Sequence, residues 1–167
     1  IYPEGSEARI EPELESALGV VSARSGGAGL SGIRRVVVAV RDLDAAVEVY
    51  RHRLGFPTVL SPVEPRANDR GAISTPGAGA RIELLAPLAG DGPVARFLDE
   101  RGEGMYALVL DSADLDSTVR ALSARGVAVG PVGGDCGAWQ IERQAAFGVL
   151  FRLEARPQGE EGAASWT

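Results

Sequence analysis

The chain has 167 residues, of which 45% are hydrophobic, so it can bury one good core, and its length favours a single domain. The formal net charge of −6 argues against an electrostatic nucleic-acid binder, which would need a basic face. All 17 basic residues are arginine, and the lack of lysine excludes a Schiff base, a lysine general base and the lysine of a phosphate-binding loop.

Residues 1–28 are predicted to form an N-terminal extension to the main domain. Ala8–Glu11 repeats the sequence of Ala80–Glu83, and each copy has a glycine three residues upstream. Chance explains so short a match equally simply. If the match is real, residues 1–12 are the last strand of a preceding module, followed by a short helix and a glycine-rich linker. The chain would then belong to a tandem protein whose earlier half is absent from this sequence.

The first unit of the main domain opens with Ile33–Arg41, a β-branched run that predicts a strand. Asp42 is predicted to cap the helix that follows, and the apolar stripe of this helix ends before Gly55. Proline and glycine turns then separate three further strands, and a short helix connects this unit to the next. The three strands are predicted at 56–63, 71–74 and 80–86, and the connecting helix at 93–101.

A second unit repeats the first. Leu108–Leu110 corresponds to Val36–Val38, and Asp114–Val119 corresponds to Asp42–Val47 at the same offset. This internal repeat allows equivalent positions to be compared within one chain. The second unit is predicted to have a strand at 105–110, a helix at 113–125 and strands near 127–132, 138–145 and 148–155.

The predicted fold class is α+β. Two tandem βαβββ modules are expected to form a curved mixed sheet with a concave trough, with the helices on the outside. The domain is predicted to span residues 29–157. Residues 158–167 are rich in Gly, Glu, Ala and Ser and are predicted to be a flexible tail.

Alternation along the strands assigns their faces. Val36, Val38 and Val40 are predicted to contact the first helix, so Arg35 and Val37 lie on the opposite face. The same alternation, applied to the repeat, brings four equivalent positions together in the trough. These positions are Arg35, Glu83, Ala107 and Arg152.

Five segments between Gly29 and Ala155 are similar to a known family: Ile33–Val47, Leu54–Phe56, Arg81–Pro87, Pro93–Leu98 and Arg101–Met105. They resemble the vicinal oxygen chelate superfamily, which includes glyoxalase I, bleomycin-resistance proteins, extradiol dioxygenases and methylmalonyl-CoA epimerase. The last three segments are most similar to the epimerase branch. Together these motifs are specific for the fold and much less specific for an activity.

The resemblance implies that four residues bind a divalent metal. In chain order, the family has His, then Glu or Gln, then His and finally Glu. At these positions this chain has Arg35, Glu83, Ala107 and Arg152. Only Glu83 can bind a metal, because a guanidinium group accepts no hydrogen bond and alanine offers no ligand atom. Two guanidinium charges would also repel a divalent ion. The single histidine, His52, lies off the apolar stripe of the first helix and is predicted to be a surface residue. The sequence therefore predicts no metal and no cofactor.

Two interpretations of the arginine-rich trough remain open. In one, Glu83 forms salt bridges with Arg35 or Arg152 and these side chains fill the former metal cavity. In the other, one arginine remains available and binds a planar anion, such as a carboxylate, an enolate or a phosphate, through bidentate hydrogen bonds. The two interpretations are compatible if the ion pair forms in the unliganded protein and separates when a ligand binds.

Three more residues are predicted to line the trough: Met105, Trp139 and Gln140. The tryptophan would supply a stacking surface and the glutamine an amide, although Trp139 fits a core position equally well. Tyr106 is assigned to the helix face by alternation and is predicted to be a core residue. The predicted ligand-binding residues are therefore Arg35, Glu83, Met105, Ala107, Trp139, Gln140 and Arg152.

Three hypotheses about function follow. The favoured one is a metal-independent small-molecule binding protein of the glyoxalase and bleomycin-resistance fold, holding a small organic ligand, anionic or aromatic, in the trough between the modules. The second is a glyoxalase-like or epimerase-like lyase or isomerase, with Glu83 as the catalytic base if no metal is used. The third is the non-catalytic half of a tandem two-domain protein.

The expected partner is a small molecule, and we expect the chain to bind neither nucleic acid nor a membrane. Members of the superfamily that this chain resembles often pair their modules within or between chains. We therefore expect a homodimer or a pseudo-dimer with a tandem domain. The single Cys136 cannot form an internal disulfide, which favours a reducing, cytoplasmic location.

Overall fold

The computed structural model describes residues 29–61, 69–77, 79–133 and 137–156. The predicted N-terminal extension, the predicted tail and Cys136 lie outside the described residues. The strands are β1 (Leu30–Ala39), β2 (Thr58–Leu60), β3 (Asp69–Gly77), β4 (Ala80–Pro87), β5 (Gly104–Ser112), β6 (Val129–Pro131), β7 (Ala138–Ile141) and β8 (Phe151–Ala155). The α-helices are α1 (Leu43–Glu48), α2 (Pro93–Arg101) and α3 (Leu115–Ala124), with a π-helical turn at Val49–Arg53 and a 3₁₀ turn at Arg143–Ala146.

The strands form one eight-stranded mixed sheet in the order β2-β3-β4-β1-β5-β8-β7-β6. β1 runs parallel to β4, and β5 runs parallel to β8. The antiparallel pair of β1 and β5 joins the two halves at the centre. From this central pair outward, each half has the same succession of first, fourth, third and second strand. The predicted α+β class with a mixed sheet is confirmed.

Both repeated helices begin with the predicted aspartate cap. Asp42 Oδ1 accepts a hydrogen bond of 3.0 Å from the backbone N–H of Ala45, and Asp114 Oδ1 accepts one of 2.9 Å from that of Ser117. The hydrogen bonds from Ser117 lower the pKa of Asp114. The segment after α1 ends at Gly55, whose φ of 72° lies in the left-handed region.

One hydrophobic cluster lies between α1 and the sheet, as the alternation of β1 and β4 predicts. The strands contribute Val38, Ile82 and Leu84, and Val40 directly follows β1. Further residues of the cluster come from the helical segment, β3 and the end of β4: Leu43, Ala46, Val47, Tyr50, Ala72 and Ala86. This cluster fixes which face of β1 looks toward the trough.

A second cluster lies on the opposite face of the sheet, under α2. Val94, Phe97 and Leu98 of this helix are buried against β1 and β5. The connecting helix therefore covers part of the trough face, which differs from the predicted placement of the helices on the outside. The other members of the cluster are Val37, Ala39, Tyr106, Ala107, Val109 and Leu150.

None of the described helices is long and apolar enough to cross a membrane.

Three irregularities interrupt the pairing of β1 with β5, and two of them change which side chains face the trough. The register shifts between Ile33 and Arg35, which leaves Arg34 as an extra residue on β1. The register shifts again between Val37 and Val38, which leaves Tyr106 as an extra residue on β5. Such β-bulges interrupt strict alternation and re-aim a side chain. The prediction that Tyr106 lies on the face of the two repeated helices is wrong for this reason, whereas its predicted core position is confirmed, since it is 4% exposed.

Candidate functional site

A cavity of about 1270 Å³ lies on the trough face of the sheet. Of the seven residues predicted to bind a ligand, four line this cavity: Arg35, Glu83, Gln140 and Arg152. They lie in two neighbouring rows across the strands. Arg35, Arg152 and Gln140 occupy one row with Val109 between the two arginines, and Glu83 lies in the next row beside Val37.

The other three predicted residues do not line the cavity. Trp139 is adjacent to Gln140 on β7, so the two side chains point to opposite faces, and Trp139 pairs with Leu153 instead. Met105 lies beyond the bulge and is 51% exposed. Ala107 is on the expected face, but it is only 1% exposed within the cluster under α2.

Arg35 is held by two carboxylates. Its Nε donates to Glu83 Oε2 at 2.7 Å, while its two terminal nitrogens donate to Glu154 Oε2 and Oε1 at 2.9 and 2.7 Å. Burial by itself lowers the pKa of Arg35, but hydrogen bonding and attraction to Glu154 and Glu83 outweigh burial and raise it. The ion pair of Arg35 with Glu83, part of one predicted interpretation, is present. The side chains do not fill the cavity as that interpretation expects, because they line an open one.

Arg34 extends these contacts into a network. Its NH1 donates to Asp111 Oδ1 at 3.0 Å and to the carbonyl of Ala155 at 3.1 Å, and its Nε lies 3.6 Å from Glu154 Oε2. We call Arg34, Arg35, Glu83, Asp111 and Glu154 the Arg35 network. In it, two guanidinium groups face three carboxylates, so its positive charges are compensated.

Arg152 has a different environment. Its Nε is buried and has no hydrogen-bond partner. The guanidinium carbon lies 5.6 Å from the ring centroid of Tyr106, which itself packs edge-to-face on Phe97 at 5.3 Å. This contact supports the guanidinium on an aromatic face.

A second arginine lies against the same two rings. The guanidinium carbon of Arg143 is 4.8 Å from the centroids of both Phe97 and Tyr106, and its NH2 donates to the carbonyl of Tyr106. Burial lowers the pKa of Arg143, and repulsion from Arg101 and Arg152 acts in the same direction. This part of the cavity therefore concentrates positive charge.

Asp69, at the start of β3, lines the cavity near these arginines. It is only 8% exposed, and its Oδ1 has no hydrogen-bond partner. Burial raises the pKa of its carboxyl group to about 6, although attraction to Arg152 opposes this shift. We call Asp69, Tyr106, Arg143 and Arg152 the Arg152 site.

Besides Tyr106, sequence reasoning did not predict five residues of these two groups as site residues: Arg34, Asp69, Asp111, Arg143 and Glu154. Glu154 follows Arg152 by two residues on β8, so alternation alone would have placed it on the trough face. The bulge at Arg34 carries no comparable sequence signal. Asp69 and Arg143 were missed because β3 begins before the predicted strand and because a 3₁₀ turn replaces the end of the predicted strand 138–145.

The metal that the resemblance implies does not fit these residues. Arg35, Ala107 and Arg152 supply no ligand atom, and Glu83 is occupied by Arg35. Within the described residues, no group of three or more His, Cys, Asp or Glu side chains could hold a metal ion. His52 is exposed on the helical segment after α1, where its Nε2 lies 3.6 Å from Glu48 Oε2.

Comparison with known proteins identifies the fold family. Residues 32–152 match the Glyoxalase/Bleomycin resistance protein/Dioxygenase superfamily. Methylmalonyl-CoA epimerase from Mycobacterium tuberculosis is 32% identical with a TM-score of 0.70, over 79% of this chain and 92% of that chain. A variant of methylmalonyl-CoA epimerase from Streptomyces coelicolor, in complex with 2-nitronate-propionyl-CoA, is 29% identical with a TM-score of 0.65, over 75% and 97%. A hypothetical protein from Bacillus halodurans C-125, 22% identical with a TM-score of 0.68 over 77% and 96%, shares the fold. The chain belongs to the Glyoxalase/Bleomycin resistance protein/Dioxygenase superfamily.

Proposed function

We propose that this protein is a metal-independent binding protein for a small organic anion, which Arg152 holds in the cavity. The observation that carries this proposal is the buried Nε of Arg152, which has no hydrogen-bond partner although its residue lines a large cavity. A buried donor without a partner is rare in native proteins. An anion such as a carboxylate accepts hydrogen bonds from a guanidinium group in a bidentate manner, and these bonds are strong because both groups are charged.

The contrast with Arg35 supports the choice of Arg152. Arg35 already donates to Glu83 and Glu154 through three hydrogen bonds of 2.7 to 2.9 Å. An anion would have to displace these carboxylates to reach it. Arg152 forms no ion pair within 4 Å with a described carboxylate, and the nearby Arg143 adds positive charge. Anions are therefore attracted toward Arg152.

The cavity also offers apolar walls. Leu85, Val94, Phe97 and Leu150 line it, and the ring of Tyr106 lies beside Arg152. Binding pockets for small molecules combine apolar walls with a few polar groups that fix the orientation of the ligand. We infer that the ligand has an apolar or aromatic body and an anionic end.

Isothermal titration calorimetry with propionate, succinate and benzoate tests the proposal. We expect Arg152→Ala to weaken binding by about tenfold to a hundredfold, because it removes charge-assisted hydrogen bonds. Arg152→Lys retains the charge without the planar fork and should give an intermediate affinity. Arg120→Ala, an exposed position on α3, is the matched control and should leave binding unchanged.

The same titration in the presence of EDTA tests metal independence. The affinity should not change when the chelator is added. Stoichiometric transition metal in protein purified without chelator, or binding that EDTA abolishes, would contradict the proposal. Equal affinities of the unaltered protein and Arg152→Ala would contradict the role of Arg152.

The alternative is an isomerase or lyase, and the similarity to two methylmalonyl-CoA epimerases at 32% and 29% identity favours it. In this case Glu83 is the proposed base. Its carboxylate would have to part from Arg35, since Oε2 accepts a hydrogen bond of 2.7 Å. Incubation with methylmalonyl-CoA in deuterated water, followed by mass spectrometry, would detect proton exchange. Glu83→Gln should abolish any exchange that is found.

Pairing with a second copy or with a tandem domain stays a prediction. Light scattering on the purified chain would distinguish a monomer from a homodimer. The cytoplasmic location likewise stays a prediction, and fractionation of the source cells would test it.

A further inference from the structure

Two buried polar atoms of the cavity have no partner. In the described part of the chain, the buried side-chain nitrogen and oxygen atoms without a hydrogen bond are Asp69 Oδ1 and Arg152 Nε. Both residues line the same cavity. Native structures satisfy the great majority of such atoms, so an unpaired acceptor and an unpaired donor on two residues that line one cavity favour binding of a polar ligand there.

The two groups do not satisfy each other. Attraction to Arg152 acts on the carboxyl group of Asp69, so the two groups interact electrostatically. They nevertheless form no ion pair within 4 Å, in contrast to Arg35 and Glu83 at 2.7 Å. Asp69 is 8% exposed and β3 holds its backbone against β4, where it pairs with Pro87. The two groups are therefore held apart by the fold, with the cavity beside them.

An acceptor and a donor that are held apart select a ligand with two different polar ends. The guanidinium group of Arg152 can only donate, so it requires an acceptor such as a carboxylate. The ionised carboxyl group of Asp69 can only accept, so it requires a donor such as a hydroxyl group. A plain carboxylate would satisfy Arg152, leave Asp69 without a partner and add a second negative charge beside it.

We infer that the ligand is a small hydroxycarboxylate, whose carboxylate accepts hydrogen bonds from Arg152 and whose hydroxyl group donates to Asp69. This inference rests on the proposed function and specifies the class of the anion. A site with a buried group that requires a ligand hydroxyl discriminates strongly against an analogue without it, because binding the analogue leaves the buried group unpaired. Asp69 thus acts as a specificity residue, while Arg152 supplies affinity for the anion.

Matched pairs of probes test this inference in calorimetric titrations: malate against succinate, lactate against propionate, and 3-phenyllactate against 3-phenylpropionate. The titrations are performed well above the Asp69 pKa of about 6, where the carboxyl group is ionised. For at least one pair, we expect the unaltered protein to bind the hydroxy compound more tightly by about tenfold or more.

Variants then assign the effect to a residue. Asp69→Ala should reduce the ratio of the two affinities to about one, while Asp69→Asn, which retains an acceptor oxygen, should restore part of the preference. Arg152→Ala should weaken both members of each pair. Asp116→Ala, at an exposed position of α3, is the matched control and should change neither affinity. Circular dichroism of each variant verifies that it folds, and Asp69→Asn keeps the test valid if Asp69→Ala does not.

The possible failures are distinguishable. If Arg152→Ala weakens binding of every probe but the unaltered protein binds both members of each pair equally, the hydroxycarboxylate inference is overturned and the proposed function stands. If Arg152→Ala has no effect, or if no probe binds, both are overturned. A preference that survives in Asp69→Ala would assign the hydroxyl contact to another residue and would overturn the role of Asp69.

Discussion

The Arg35 network and the Arg152 site lie on the same face of the sheet, and their central arginines lie in one row on either side of Val109, yet their electrostatics differ. Arg35 is held by two carboxylates through three hydrogen bonds. Arg152 rests on an aromatic ring and has a buried nitrogen without a partner. The difference teaches that carboxylate neighbours decide whether the donors of an arginine on this face are satisfied within the sheet.

Removal of the central arginine from each group gives the largest expected contrast. Arg35→Ala would leave Glu83 and Glu154 partly buried without their partner, and we expect it to lower the free energy of unfolding by roughly 3 kcal/mol. Arg152→Ala removes a group without ion-pair partners, so we expect a change within about 1 kcal/mol. Urea denaturation of both variants measures the difference. Equal losses would show that Arg152 is as structural as Arg35.

The pH dependence of stability sharpens the comparison at Asp69. Its pKa is raised from the ordinary 3.8 to about 6 in the folded protein, so folding favours the protonated form. The contribution of this group to stability is therefore fully present below pH 3.8 and is lost as the pH rises through about 6. Relative to Asp69→Asn, which has no such titration, we expect the unaltered protein to lose roughly 2–3 kcal/mol over this range.

Denaturant midpoints of both proteins at a series of pH values measure this loss. Subtracting the free energy of unfolding of Asp69→Asn from that of the unaltered protein at each pH removes the contribution of the other carboxylates. A difference that does not change with pH would show that the Asp69 carboxyl group is solvated or satisfied in the folded protein.

Loss of a carboxylate from the Arg35 network should make that network resemble the Arg152 site. Glu154→Gln removes the charge that receives two hydrogen bonds from Arg35, and we expect a loss of roughly 1–2 kcal/mol. Arg35 would then be able to bind an anion weakly, which titration with propionate in an Arg152→Ala background would detect. Glu48→Gln, whose side chain is 64% exposed, is the control and should show neither effect. An unchanged stability would indicate that Glu83 alone compensates Arg35.

The smallest effect concerns a feature that the two halves share. Asp42→Ala and Asp114→Ala each remove the side chain that caps a repeated helix, so both should lower the melting temperature slightly and by similar amounts. Neither should change anion binding, because both caps lie on helices away from the cavity lining. Thermal unfolding and titration together check this. A change in binding would mean that the cavity depends on the helix ends.

Much of this arrangement could be predicted from the sequence. Alternation along β1 and β4 placed Val38 and Leu84 under α1 and Arg35 and Glu83 in the trough, because a strand with one buried face leaves its register little freedom. The aspartate caps were predictable because capping depends on local sequence.

The rest of the site depends on features that alternation does not encode. Arg34 and Tyr106 face the cavity because bulges add a residue to one strand of a pair, and this depends on both strands together. Arg143 reaches the aromatic rings from a 3₁₀ turn that interrupts a predicted strand. Trp139 was placed in the trough together with Gln140, although adjacent residues of a strand cannot share a face.

The bulge at Tyr106 has a consequence for how this cavity can change. Since Tyr106 is an inserted position of β5 rather than a replaced one, the aromatic support of Arg152 depends on the number of residues in the strand. Deletion of Tyr106 would be expected to remove this bulge and the ring at a single step. The lining of the cavity can therefore be altered by an insertion or deletion in the central strands, without any exchange of the charged residues.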